Sequence, residues 1–285
     1  MFDRFEPIHA VTYFAPECRA AFDAAGFRGF WMGYFAGRSA PLGPVPAEVV
    51  TAAFYNFAPS QVSRALPAAW ERAEPIDALR ARETSAVAAL RRCGVADGDG
   101  VRTAADLLAK AARSAPLDGR PLFAANLALP WPDEPVAKLW HAATLLREQR
   151  GDGHVAVLVA NGIGGRDCNV LHSVADRVPR DFIMASRQYD DDEWRACSAR
   201  LDERGILDGS GVLTNSGQEF ERCIETSTDE LALPAFGALD DAELEMLFRV
   251  LTPITRAVID GGDIPAATPM GLRRDDLGDD SAHLD

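Results

Sequence analysis

Apolar residues recur at helical spacing along most of this chain. The clearest case is Val136, Leu139, Trp140, Ala143 and Leu146, which fall at i, i+3, i+4, i+7 and i+10 and predict an amphipathic helix. Proline in a first turn and glycine past a last one bracket a short helix from Pro16 to Gly26. Similar patterns predict helices over 28–38, 46–54, 59–70, 75–93, 103–113 and 119–127, then 151–161, 166–176 and 179–187. Asp190, with Glu193 three residues on, opens a helix whose face is Trp194, Cys197 and Leu201 and which stops at Arg204-Gly205. ILDGSGVLTNSGQEF then reads as a short hairpin with a Gly-Ser tip, followed by a helix opened by Asn215 with Gln218 as its reciprocal cap. Leu244, Leu247, Phe248 and Leu251 mark a last helix, bent or ended near Pro253.

Two stretches can be laid on one another. RGFWMGYFAGRSA from Arg28 matches RGDGHVAVLVANG from Arg150, and Pro59 falls opposite Pro179. AALRRCGVADGDGVRTAADLL then matches ARLDERGILDGSGVLTNSGQEF. The expected fold is therefore mainly α with small β-hairpin wings, a tandem winged-helix-like repeat. At 285 residues the chain has room for two domains. The expected division is an aromatic-rich N-terminal domain over 1–128, a proline-rich linker at 129–135 and a C-terminal domain over 136–235. A C-terminal helix over 236–260, through which a homodimer is expected, and a loose acidic tail over 261–285 complete it.

Charge changes the picture. Residues 1–150 hold 17 Lys and Arg against 16 Asp and Glu, whereas residues 151–285 hold 12 against 27, so the net charge of -14 belongs to the second half. A chain with only two lysines has no basic stripe for a phosphate backbone. The five cysteines form no C-x-x-C pair, which argues against a disulfide framework or thiolate zinc site. No apolar run is long enough for a membrane span, and the N-terminus lacks a signal-peptide pattern, so a cytoplasmic protein without a membrane partner is expected.

A helix ending LDERGIL, a hairpin with a Gly-Ser tip and Leu-Thr-x-x-Gly opening the next helix resemble the winged-helix module of MarR-type regulators. Over residues 8–235 the chain also resembles actinobacterial SalK-type or MarR-like helix-turn-helix proteins. That likeness rests on HAVTYFAPE, GFRGFWMGYFAGRSAPLGPV, FYNFAPSQVSRALPAAW, LWHAATLLREQRGDGHVA and EWRACSARLDERGILD. The resemblance implies two winged-helix-like units and carries no established mechanism. In a DNA-reading member the helix before the wing enters the major groove. Here that helix begins with four consecutive acids, Asp190 to Glu193, and residues 186–222 hold nine acids against five arginines. Nucleic acid is accordingly not expected as a partner.

Thirteen of the 23 aromatic residues lie within the first 57 positions, interleaved with His9, Arg28 and Arg38. Aromatic area with a few convergent polar groups suits a small organic ligand. The run Phe30 to Phe35 is apolar nearly all round a helix and must be buried on every side, and a cleft between the two halves supplies the second surface. Ligand contacts are expected from His9, Tyr13, Arg28, Trp31, Tyr34, Tyr55 and Arg150. His154, Asp152 and Arg38 are the candidate catalytic groups, with His154 as general acid or base and Arg147 or Arg150 holding a carboxylate or phenolate. No metal motif, nucleophile elbow or phosphate loop is present, so no metal or cofactor is expected. The favoured reading is a protein that binds, or transforms without a cofactor, an aromatic or polyketide-like metabolite of specialised metabolism. The alternative is a MarR-like ligand-responsive transcriptional regulator.

Overall fold

A computed structural model describes residues 1–265. The chain forms α1 (Phe2–Phe14), α2 (Pro16–Ala24), α3 (Gly29–Ser39), α4 (Ala47–Phe54), α5 (Pro59–Trp70), α6 (Pro75–Arg92) and α7 (Asp99–Ser114). It continues with α8 (Pro121–Leu127), α9 (Pro135–Ala160), α10 (Gly165–Val174), α11 (Arg180–Arg187), α12 (Asp191–Glu203), α13 (Asn215–Ala232) and α14 (Asp241–Asp260).

The expected hairpin wings do not form. The structure is 74% helical, with no strand or sheet among the described residues, so the fold is all-α. Only an isolated antiparallel bridge joins Leu207 and Leu213. The cause is local. The Asp208 carboxylate accepts from the backbone N–H groups of Ser210 (2.9 Å) and Val212 (3.1 Å), closing a compact loop whose arms are too short for a ladder. In the first half, the matching GVADGDG segment turns out of α6 and runs into the first residues of α7. The proposed equivalence of Arg28 and Arg150 also fails locally, since Arg28 precedes α3 while Arg150 lies in the middle of α9.

The α9 helix is the axis of the molecule. It packs against α1, α6, α7 and α8 and, beyond Gln149, against α13. Leu139, Trp140, Leu145 and Leu146 enter the largest core, with Phe5, Leu108, Phe123 and Leu247 around them. Full burial of side chains of this size contributes about 1.5–3 kcal/mol each. Beyond Arg150 the same helix turns to a second core, where Val157 and Leu158 meet Leu171, Ile183, Trp194 and Leu201. The sequence pattern predicts a break near Gly151; the helix runs straight through. Gly153 is buried with Leu231 of α13 beside it, close enough that a Cβ would lie 3.6 Å from the Leu231 Cβ. Packing of α13 over this stretch offsets the roughly 1 kcal/mol each helical glycine costs.

Two further expectations shift. Helix α1 escapes the pattern because Arg4, Glu6 and His9 are buried beside its apolar residues and Pro7 sits inside it. Helix α14 continues past Pro253, anchored along α1 and α7 by Leu247, Leu251 and Val258. At α13 the cap is Thr214, which accepts from the Gly217 N–H, and Asn215 is the first helical residue. Of the expected tail, residues 266–285 lie outside those described; before them, Ile264 is buried and Asp263 pairs with Arg92.

The aromatic first segment is fastened to α10 at one point. Tyr55 follows α4 with φ of 62°, a conformation bulky residues rarely adopt. Its hydroxyl donates to the Ile163 carbonyl, and Asn169 Nδ2 donates to the Asn56 carbonyl at 2.9 Å. Gly165, at the start of α10, lies so close to Tyr55 that a Cβ there would sit 1.9 Å from the Tyr55 carbonyl oxygen. Gly165→Ala is therefore expected to lower stability by about 1–3 kcal/mol in urea unfolding. Gly209→Ala, at a position with open space around it, should leave the midpoint unchanged.

Candidate functional site: an aromatic cavity with a buried arginine–glutamate network

A cavity of about 590 Å³ opens between the aromatic first segment and the α9–α13 region. Its size is that of a small-molecule pocket. One wall is aromatic: Phe30, Trp31 and Tyr34 of α3, with Phe54 at the end of α4 and Tyr55 and Phe57 after it. The rings form a connected cluster of edge-on and tilted contacts, with Trp31–Phe57 at 5.8 Å, Tyr34–Phe57 at 5.4 Å and Tyr13–Tyr34 at 5.2 Å between centroids. The other wall is polar and comes from Arg147, Arg150 and His154 of α9, His172 of α10, Arg187 of α11 and Glu225 of α13.

At the base of the aromatic wall, Glu148 holds two guanidinium groups. Arg38 donates to it from Nε and Nη2, both at 2.9 Å, and Arg147 from Nη1 at 2.9 Å. Burial alone would raise the Glu148 pKa, but the two arginines outweigh it and keep the carboxylate ionised well below the usual range. Burial pulls the other way on Arg38 too, and Glu148 and Tyr34 hold its charge in place. Arg38 also lies 4.3 Å over the Phe54 ring. Behind this network Glu6 is fully buried, 3.9 Å from Arg147, and burial pushes its pKa up to about 7.

Hydrogen-bond bookkeeping fixes two histidine tautomers. The Thr144 hydroxyl donates its only proton to the Trp140 carbonyl, so it must accept from His9 Nδ1 at 2.9 Å. His9 Nε2 then accepts from the Tyr13 hydroxyl at 3.0 Å. Burial keeps His9 neutral and raises the Tyr13 pKa, so the proton stays on the phenol. The same wiring recurs at His154. Thr228 donates to the Ile224 carbonyl at 2.8 Å and accepts from His154 Nδ1 at 2.9 Å, which leaves the His154 Nε2 lone pair free. Burial lowers the His154 pKa to about 3, so at neutral pH this ring acts as an acceptor and not as an acid.

Among the residues expected from sequence, Tyr13, Trp31, Tyr34, Arg38, Tyr55, Arg150 and His154 line the cavity together. His9 stands one step behind, through Tyr13. Two are elsewhere. Arg28 is exposed at the residue before α3, and Asp152 points from the far side of α9 to accept from the Phe123 N–H at 2.9 Å, its pKa raised by burial to about 7. Because α9 is continuous, Asp152 lies on a different face from His154.

The lining residues that the sequence did not single out include His172, Arg187 and Glu225. Arg187 is 9% exposed and rests 4.1 Å over Phe57. It makes no ion pair among the described residues, and its Nε is buried without a hydrogen-bond partner. Burial lowers its pKa. Nothing in the local sequence marks it, since SRQYDDD reads as the solvated end of a short helix.

The α10–α11–α12 segment has the form of a helix-turn-helix unit. Helices α11 and α12 are joined through Gln188, Tyr189 and Asp190, with Gln188 left-handed and Asp190 capping α12 by accepting from the Glu193 N–H at 2.8 Å. Over residues 1–265 the chain matches the helix-turn-helix family HTH_67, and it belongs to that family. No curated protein and no solved structure matches it. No helix among the described residues is long and apolar enough to cross a membrane.

Glu148→Gln leaves two buried guanidinium groups without their counter-charge and should cost about 3–5 kcal/mol in chemical denaturation. The Glu6 carboxyl, raised from 4.5 to about 7, contributes stability that is full below pH 4.5 and lost as pH rises through 7, at most about 1.4 kcal/mol per pH unit. Glu6→Gln should therefore gain on the wild type between pH 5 and 7.5, as read from urea midpoints across that range.

Proposed function

We propose that this protein binds an aromatic or polyketide-like organic anion of specialised metabolism in the cavity between the aromatic segment and α9–α13. The observation that carries this reading is Arg187: a buried cation on the cavity wall, with no carboxylate of its own. A charge kept from water without a counter-charge is costly, and an incoming carboxylate or phenolate would offset that cost. The Arg38–Glu148–Arg147 group adds a second excess of positive charge, while Trp31, Tyr34 and Phe57 give a planar ligand area to stack on.

Against nucleic acid stand the partners of α12. Arg195 pairs with Asp192, Arg200 pairs with Asp167 at 2.6 Å, and Arg204 donates to the carbonyls of Asn161 and Gly162, both at 2.9 Å. Each of these guanidinium groups is already engaged, and Asp191 and Asp192 stand exposed at the helix start.

One observation favours the second reading, a ligand-responsive regulator. Arg166 joins Glu193 of α12 at 2.6 Å to the Arg187 carbonyl at 2.8 Å, so an anion drawn to Arg187 would act on the helix-turn-helix unit directly.

Calorimetric titration with 2-naphthoate and with its neutral carboxamide tests the proposal. The carboxylate is expected to bind at least tenfold tighter, and Arg187→Met should abolish that preference. Equal binding of both compounds, or a preference that survives in Arg187→Met, would overturn it. A gel shift over genomic fragments at low salt is expected to show no complex; a specific complex released by the ligand would install the regulator reading instead.

A further inference from the structure

The polar wall of the cavity holds a second arrangement that anion binding does not use. His154 on α9, His172 on α10 and Glu225 on α13 bring one donor atom each to within 4.8 Å of one another. The two imidazole rings lie nearly parallel, 29° apart, with centroids 5.5 Å from each other. We propose that these three side chains form a binding site for a divalent first-row transition metal ion that faces the aromatic cavity.

Four observations support it, independently of the anion. The first is ligand type: two imidazoles and one carboxylate are a donor set that holds zinc or iron(II) while leaving coordination positions open. The second is tautomer. Thr228 is fully buried and spends its proton on the Ile224 carbonyl, so it fixes the His154 hydrogen on Nδ1 and presents Nε2 as a free donor. A hydrogen bond from the far nitrogen of a ligating histidine is what orients such a ring towards a metal. The third is vacancy of the donors. Neither ring nitrogen of His172 has a hydrogen-bond partner among the described residues, although the ring sits in a polar wall.

The fourth concerns Glu225. Its Oε2 is 3.3 Å from Arg150, a long contact, while Oε1 has no partner among the described residues. Arg150 has a shorter partner in Asp229 at 2.9 Å. Glu225 can therefore turn to a metal ion without leaving Arg150 unpaired. Donors bonded at about 2.0–2.2 Å sit closer together than 4.8 Å, so the three side chains draw in by about an ångström each on binding. Trp31 and Tyr34 line the same cavity, so an anionic ligand bound there would share that space with the open coordination position.

The test uses the full chain, stripped with EDTA and titrated with Co²⁺ alone, following the visible d–d absorption and the heat. One equivalent is expected, with tight binding that Zn²⁺ displaces and a melting temperature that rises with Zn²⁺ and falls back with EDTA. Glu225→Gln and His172→Ala, each checked for native circular dichroism, should weaken Co²⁺ binding at least a hundredfold. Thr228→Val, which frees the His154 tautomer, should weaken it about 10–100-fold. Arg187→Met should leave it unchanged, which separates this site from anion binding. Absence of a saturable band, or a band that persists at full affinity in both Glu225→Gln and His172→Ala, would overturn the proposal. Should His172→Ala not fold, Glu225→Gln alone decides.

Discussion

The carboxylate of Glu148 is shared by two buried guanidinium groups that arrive from distant parts of the chain, and the rest of the cavity is arranged around that contact. Arg38 reaches it from the end of α3 and Arg147 from the preceding residue of α9. In water such a triad would contribute little; buried, it can neither be broken nor protonated without stranding charge. It therefore ties the aromatic helix α3 to α9 and fixes which face of each helix looks into the cavity. Tyr34 is seated against Arg38, Tyr13 against Tyr34, and His9 is held behind Tyr13.

Much of the helical framework was legible in the sequence, because caps and apolar stripes are local. Helices α5 and α12 begin where Pro59 and Asp190 say they should. The failures in α9 and α1 came where long-range packing overrode a local signal, and the missing wing where one local signal overrode another. Gly151 and Gly153 read as a helix start and are interior, and buried Arg4 and Glu6 disguised α1. The Gly-Ser tip at 209–210 read as a wing, yet Asp208 spends its carboxylate on the backbone donors a strand pair would need.

The candidate site divides in the same way. An aromatic-rich segment suggests a pocket by composition alone, and Trp31, Tyr34, Tyr55 and Arg38 of that segment line the cavity. Arg187, His172 and Glu225 carry no such mark. Each lies on a different helix, in an ordinary polar stretch, and acquires meaning only from what the fold sets opposite it. Asp152 shows the converse error, for proximity to His154 in sequence placed it on the wrong face.

The unbroken course of α9 has a consequence for how this protein can vary. Arg147, Glu148, Arg150 and His154 are all read off about two turns of one rod whose ends answer to different cores. A single inserted residue anywhere between 148 and 154 would rotate everything after it by about 100° and advance it by about 1.5 Å. Relatives that keep this pocket are thus free to exchange side chains along the rod but not to change its length.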